Sequence, residues 1–219
     1  HEQQKHEQMK VIAINGSPHP QGNTFQALKV IGEELKKENI EFEILQVGSQ
    51  KIHGCMGCNM CFKNHNERCV ITTDTLNDLL QKIKDVDGLI LGSPVHYSGI
   101  AGTMKCFLDR AFYVAGANGN WFRHKVGAAI VAVRRSGGSA TLDGLNHYLT
   151  YSEMLVPTSN YWNIIHGLKA GEVIQDNEGL QIMRTLGRNM AWLMKMREQT
   201  KDTLTPPEGE KKIMTNFIR

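Results

Sequence analysis

Val11-Ile12-Ala13-Ile14-Asn15-Gly16-Ser17-Pro18-His19-Pro20-Gln21-Gly22-Asn23-Thr24 is the stretch on which the fold turns. Val11 to Ile14 is a short continuous apolar run, as expected of a strand buried on both faces. It passes into a loop of glycine, proline and small polar residues. Behind the loop, Phe25, Leu28, Ile31 and Leu35 recur at helical spacing. Asn23 reads as the N-cap, and Gln26 three residues on completes a capping-box pattern. A helix that starts on such a loop aims its free N–H groups and the positive end of its dipole at one spot. Gly16 and Gly22 let an anion approach the backbone, Ser17 and Thr24 offer hydroxyl donors, and Asn23 offers an amide. The arrangement suits a phosphate monoester, although the same small residues would also make an ordinary tight turn and cap. The loop is not Gly-x-Gly-x-x-Gly and has no Lys after its last glycine, so dinucleotide and nucleoside-triphosphate patterns do not match.

Working outward, Ile40 to Val47 reads as a second strand. Leu89-Ile90-Leu91 is a third, ended by Gly92-Ser93-Pro94. Val126 to Val133 is the fourth and most apolar, and Met154-Leu155-Val156 begins a fifth. Between them lie amphipathic helices, one marked by Leu76, Leu79, Leu80, Ile83 and Val86 behind Asp74 as N-cap. Others are marked by Met104, Phe107, Leu108, Ala111 and Phe112, and by Leu142, Leu145 and Leu149. Leu180, Met183, Leu186, Met190 and Leu193 mark the last. Strands alternating with helices imply an α/β protein with a parallel sheet covered on both sides. Right-handed crossovers then favour the doubly wound order 2-1-3-4-5, in which ligands bind outside the carboxyl ends of the strands.

The chain has 219 residues, 41% of them apolar and 21% charged, as expected of one ordinary globular domain. A net charge of +3 without any Lys/Arg run gives no footprint for nucleic acid. No apolar stretch approaches the roughly 20 residues needed to span a bilayer, so no membrane is expected. Residues 1–8 read as an expression remnant or disordered leader, and 9–199 as the domain, with a cysteine-rich insertion at about 50–73. Residues 200–219, with Pro206-Pro207 and an apolar end, form a tail expected to dock on the body or a neighbouring subunit. The location expected is cytoplasmic.

The five cysteines agree with a reducing compartment. Four of them, Cys55-x2-Cys58-x2-Cys61-x7-Cys69, stand in a connection of about 26 residues, far beyond the usual few. Thiolates at such intervals can wrap one soft metal centre. The compact run resembles that of bacterial ferredoxins, with the fourth cysteine differently placed, and favours a [4Fe–4S] cluster. A structural zinc site would show two C-x2-C knuckles split by a longer loop. Redox-active or free thiols are the third reading. Cys106, between Met104 and Phe107, reads as a buried small hydrophobe. His53 reads as an exposed loop residue. Trp121, Tyr161 and Trp162 would cover a cofactor, bind an aromatic substrate or pack at a subunit interface.

Gly16-Ser17-Pro18 followed by Asn23-Thr24 resembles the phosphate loop of the NAD(P)H-dependent FMN reductases. Gly92 to Gly99 resembles that family's flavin-ring loop, and Arg134-Arg135-Ser136-Gly137-Gly138 its segment at the pyrimidine end of the flavin. The resemblance implies a flavodoxin-like five-stranded sheet holding FMN. Ser17, His19, Gly22, Asn23 and Thr24 would meet the phosphate; Pro94, Val95, His96, Tyr97, Ser98 and Gly99 would run along the ring edge. Arg134, Gly137 and Gly138 would lie at its far end. A compact cysteine motif after strand 2 is similar to that of the iron–sulfur flavoproteins. It implies that Cys55, Cys58, Cys61 and Cys69 ligate a [4Fe–4S] cluster that exchanges electrons with FMN. A homodimer or homotetramer is implied too, with NAD(P)H as co-substrate or ferredoxin as partner, and a small-molecule electron acceptor such as a quinone. No paired carboxylates or Ser/His/Asp set stands out, so no catalytic residue is expected beyond the cofactors. The alternatives are an NAD(P)H:FMN or quinone reductase without a cluster, and a non-enzymatic flavodoxin-type electron carrier.

Overall fold

A computed structural model describes residues 8–218, so the leader expected at 1–8 lies outside the described residues except for Gln8. The strands are β1 (Lys10–Asn15), β2 (Glu41–Gln46), β3 (Gly88–His96), β4 (Gly99–Ile100), β5 (Val126–Val133) and β6 (Ile164–His166). The helices are α1 (Asn23–Lys37), α2 (Met60–Asn64), α3 (Leu76–Ile83), α4 (Gly102–Ala117), α5 (Gly138–Tyr151) and α6 (Asn177–Thr200). Five strands pair in parallel as β2-β1-β3-β5-β6, which is the doubly wound order 2-1-3-4-5 once the two-residue β4 is set aside.

Successive residues of the central strands point to opposite faces, so each apolar run feeds two cores. Ile12, Ile14, Leu89, Leu91, Ala129 and Val131 pack on the α3, α4 and α5 side. Val11, Ala13, Ile90, Ala128 and Ile130 pack on the α1 and α6 side. Burying each of the larger side chains contributes about 1.5–3 kcal/mol, so a strand without an exposed face is stable only between two helical layers. The α1–α6 layer also holds a buried acid. Glu34 accepts from Lys37 at 3.0 Å and from Arg188 at 3.3 Å, tying the two helices together. No helix among the described residues is long and apolar enough to cross a membrane.

Several boundaries differ from the sequence reading. The third strand does not end at Gly92-Ser93-Pro94 but runs to His96 and folds back antiparallel as β4. A Cβ on Gly92 would crowd Thr24 and Leu28 at 3.1 Å, and the fixed φ of Pro94 suits extended backbone. The fifth strand is β6, not the segment at Met154. There the chain touches β5 through one bridge, Leu155 to Val126, and leaves at Pro157, which has no N–H to continue a ladder. It rejoins at Ile164, and residues 156–163 between carry Tyr161 and Trp162 outward. Gly22, not Asn23, is the N-cap of α1. Thr75, not Asp74, precedes α3, although the Leu76 N–H still donates to Asp74 Oδ1 at 3.2 Å. Cys106 is half-buried rather than buried, 3.8 Å from where a Cβ on Gly54 would stand.

The tail runs exposed beside the body. Arg123 donates to the Pro207 carbonyl at 3.0 Å, and Lys212 donates to the Tyr151 hydroxyl at 2.6 Å. Ile213, Met214, Phe217 and Ile218 at its end are exposed.

Candidate functional site

The loop after β1 is built against its neighbours. The Gly16 N–H donates to the Gly92 carbonyl at 2.8 Å, joining it to β3. A Cβ on Gly48 would lie 2.2 Å from the Gly16 carbonyl, so only glycine allows the chain leaving β2 to press on this loop. Ser17 is buried; its N–H donates to Asn15 Oδ1 at 3.2 Å and its Oγ accepts from the His19 N–H at 3.1 Å. The hydroxyl hydrogen of Ser17 stays free to donate. Thr24 is buried at the start of α1, while His19 is exposed.

Among the described residues, α1 has no side-chain cap and no acid in its first turn. Its first N–H groups are thus left for an external anion, the arrangement that a phosphate needs. Asn23 is used differently from the expectation. Its side-chain amide donates to the Lys169 carbonyl at 3.0 Å and accepts from the Val173 N–H at 3.4 Å, so the side chain is held by that distant segment.

The ring-loop residues Pro94 to Gly99 are the tip of the β3–β4 hairpin. Tyr97 and Ser98 make a two-residue turn with φ of 49° and 57°. Both central residues of such a turn need positive φ, a conformation that Asn-Gly supplies cheaply and Tyr-Ser does not. His96, Tyr97 and Ser98 are exposed, with the Tyr97 ring free of the body. Ser93 Oγ fixes the hairpin base, accepting from the Ala101 N–H at 3.1 Å and donating to the Pro94 carbonyl at 2.7 Å.

The loop after β5 meets this hairpin at Gly137, whose φ is 89° and whose missing Cβ leaves space for Ser98 and Val95. Gly138 is buried and starts α5. Arg134 and Arg135 are both exposed, and Arg135, not Arg134, lines a groove of about 470 Å³. Tyr161, Trp162, His166 and Asp176 stand on the groove's other walls. The Tyr161 and Trp162 rings lie 5.5 Å apart at 31°, while Trp121 does not line the groove and packs edge-on against Phe122. Three expected loops therefore converge, the first on the second through Gly16 and Gly92, the second on the third through Ser98 and Gly137.

The cysteine segment lies along α4. Cys55, Cys58, Cys61 and Cys69 line one pocket, walled otherwise by Met56, Val70, Ile71 and Val114 among others. Cys55 Sγ accepts from the Gly57 N–H at 3.5 Å. Cys61, buried in α2, has its thiol pushed up by burial. Asn77 grips the backbone of Cys69, accepting from its N–H at 2.8 Å and donating to its carbonyl at 2.9 Å. Arg110 enters from α4, fully buried, and donates Nε–H to Cys69 Sγ at 3.3 Å. Its partner is Asp74. Burial pushes that carboxyl up, but hydrogen bonds from Arg110 and from the His53 and Leu76 N–H groups outweigh burial and hold it below the usual range. His53 itself is exposed, as expected.

Among the described residues, no three His, Cys, Asp or Glu side chains are grouped closely enough to hold one ion. The four thiols are spread around a common wall that carries neither carboxylate nor imidazole. Sulfur donors without carboxylate or imidazole suit a soft metal centre rather than a hard cation. Arg110 and Asn77 escaped the sequence reading. Arg110 did leave a signal: a charge on the apolar face shared by Phe107, Ala111 and Val114 is rarely buried without a partner.

A sequence model described as NADPH-dependent FMN reductase matches residues 9–169. An iron-sulfur flavoprotein of Methanocaldococcus jannaschii is 33% identical over 195 residues, 86% of this chain and 98% of that protein. A second from the same organism is 32% identical over 193 residues, 82% of this chain and 94% of the other. Among solved structures, a flavodoxin from the domain Archaea superposes with a TM-score of 0.55 at 18% identity, covering 85% of this chain and 99% of that one. That likeness speaks for the fold. The sequence match over most of its length, on a flavodoxin-like sheet with converging loops, makes this chain a member of the NADPH-dependent FMN reductase family, in its iron–sulfur flavoprotein branch.

Proposed function

We propose that the chain is an FMN-dependent oxidoreductase that moves electrons between NAD(P)H or a ferredoxin, FMN, a [4Fe–4S] cluster and a small acceptor. One observation carries this reading: the pocket of four thiols is backed by α4, the helix that starts directly behind the β3–β4 hairpin. Arg110, on the pocket wall, lies eight residues past Gly102, about 12 Å along the helix axis at the usual rise. A single rigid element thus links the flavin loop to the cysteine segment.

When bound, FMN supplies the hydride and single-electron chemistry, and the cluster the one-electron exchange. The chain's own residues bind and orient. Ser17, Thr24 and the first N–H groups of α1 hold the phosphate, with His19 and Gly22 shaping the loop. Backbone from Pro94, Val95, His96, Ser98 and Gly99 borders the ring, Gly137 and Gly138 close its far end, and Tyr97 flanks its mouth. Arg134 stands at the rim. Cys55, Cys58, Cys61 and Cys69 hold the iron, and the Tyr161–Trp162 groove receives a flat acceptor. Exposed Tyr113 beside the cysteine segment, exposed Tyr151 in the groove next to it, and the apolar tail end support a homodimer or homotetramer in which one chain's thiols face another's flavin. A reducing cytoplasm suits the free thiols.

The test is anaerobic purification followed by a visible spectrum, assays of FMN, iron and sulfide, and NADH and NADPH oxidation. Stoichiometric FMN with about four irons per chain is expected. Flavin without iron would leave a cluster-free NAD(P)H:FMN or quinone reductase. Flavin and iron with no nicotinamide oxidation would point to an electron carrier serving protein partners, and absence of flavin would overturn the reading.

A further inference from the structure

Arg110 is the largest fully buried side chain, with 1% of its side-chain surface exposed and 6% of that of Asp74. Every guanidinium nitrogen is engaged. Nε–H goes to Cys69 Sγ at 3.3 Å, Nη1 to the His53 carbonyl at 3.0 Å and to Asp74, and Nη2 to the Ile71 carbonyl at 3.2 Å and Asp74 Oδ1 at 3.3 Å. Asp74 in turn accepts from the His53 N–H at 3.0 Å and the Leu76 N–H at 3.2 Å. Two charges have been taken out of water here, at a cost that a brace for the loop need not incur, since apolar side chains of similar volume can fill such a position. Of all these bonds, the one to sulfur reaches a thiol of the four-cysteine pocket.

We propose that Arg110 and Asp74 act as an opposed pair of positioning residues that sets the reduction potential of the sulfur-ligated centre through the Arg110–Cys69 hydrogen bond. This rests on the proposed function, because it needs the four thiols to hold an iron–sulfur centre. The physical argument concerns charge. Reduction by one electron makes a thiolate-bound centre more negative by one unit. A guanidinium N–H on a ligand sulfur eases that change, and a carboxylate a few ångströms behind it opposes it. Buried groups are screened little by salt, so both effects reach the sulfur. The potential is therefore a balance, and each partner pulls it in its own direction.

The experiment compares wild type with Arg110→Gln, Asp74→Asn and the double variant, all prepared anaerobically and reconstituted with iron and sulfide. Iron and sulfide are counted, and reduction is followed optically and by electron paramagnetic resonance against a poised electrode. Arg110→Gln is expected to lower the potential and Asp74→Asn to raise it. Each shift should be about tenfold in the one-electron equilibrium, or about 59 mV, and the double variant should fall between them. A purely structural brace would not separate the two signs. Shifts of one sign, or unmoved potentials in fully loaded variants, overturn the proposal. So does loss of the centre from both single variants, which would make Arg110 a brace alone. Wild-type protein that takes up no iron fails the proposed function and this proposal with it, whereas loaded wild type with unmoved variants fails this proposal alone.

Discussion

Gly137 lies against Ser98 so closely that a Cβ on the glycine would stand 2.8 Å from the Ser98 hydroxyl oxygen. The contact is where the β5 loop closes on the β3–β4 hairpin. Gly137→Ala meets two penalties, the left-handed backbone at φ 89° and the clash. Gly119→Ala meets only the first, since its φ is 86° and nothing lies within 4 Å of its Cβ position. We expect Gly119→Ala to lose about 1–2 kcal/mol in denaturant unfolding, the usual left-handed cost. Gly137→Ala should lose more and bind FMN more weakly; equal losses would mean that the contact has no weight.

Ser98→Gly should act in the opposite sense on stability. The residue sits at φ 57° in a turn that favours glycine. Relief of about 1 kcal/mol in the apoprotein is expected, read as a higher midpoint in urea. If the strained hairpin is what presents the flavin edge, FMN affinity falls in the same variant. A variant that binds FMN as tightly as wild type would show the strain to be incidental.

Thr24→Val keeps the shape of the first turn of α1 and removes a hydroxyl from the proposed phosphate loop. A hydrogen bond to a charged group contributes about 1.5–3 kcal/mol, so FMN affinity should drop by roughly tenfold to a hundredfold. Fluorescence titration measures it. Riboflavin, which lacks the phosphate, should bind wild type and variant alike.

Acid should loosen the α1–α6 layer at Glu34. Burial pushes this carboxyl up, yet hydrogen bonds from Lys37 and Arg188 outweigh burial and hold it below its ordinary value of 4.5. A carboxyl with a depressed folded pKa stabilises fully above its unfolded pKa and loses that contribution as pH falls through the folded one. Glu34→Gln should therefore be less stable than wild type at neutral pH, and the gap should close below about pH 4. A gap that stays constant down to pH 3 would assign the difference to packing.

Replacing Cys58 by Ser should cut iron content and visible absorbance after reconstitution, while Cys106→Ser should leave both unchanged. The first thiol lines the four-cysteine pocket and the second does not. Equal iron in both variants would remove Cys58 from the ligand set.

The parts of this molecule that could be read from the sequence are those that depend on local pattern. Val11 to Ile14, Leu89 to Leu91 and Val126 to Val133 are apolar because two helical layers cover them, and that leaves an unbroken run. The edge strand at Ile164 is three residues long and reached only after the Pro157 detour, so it carries no comparable run. The hairpin at Tyr97-Ser98 lacks the Asn-Gly signature and looks like plain loop. Arg110 was hidden for another reason: its partners at 53, 69, 71 and 74 come from a segment that only tertiary folding brings to α4. Asn23 fits the pattern of a helix cap, but its amide is spent on residues far along the chain.

That use of Asn23 has a consequence for the order in which the protein matures. Its amide is met by Lys169 and Val173, about 150 positions later. A nascent chain has already made β1, the loop and α1 while those partners are still unsynthesised. The loop after β1 can thus be tied to β3 through Gly16 and Gly92 before Asn23 meets its two distant partners, whose long closing loop costs more entropy. A chain released before residue 169 would contain the whole loop sequence and lack both of these contacts to it.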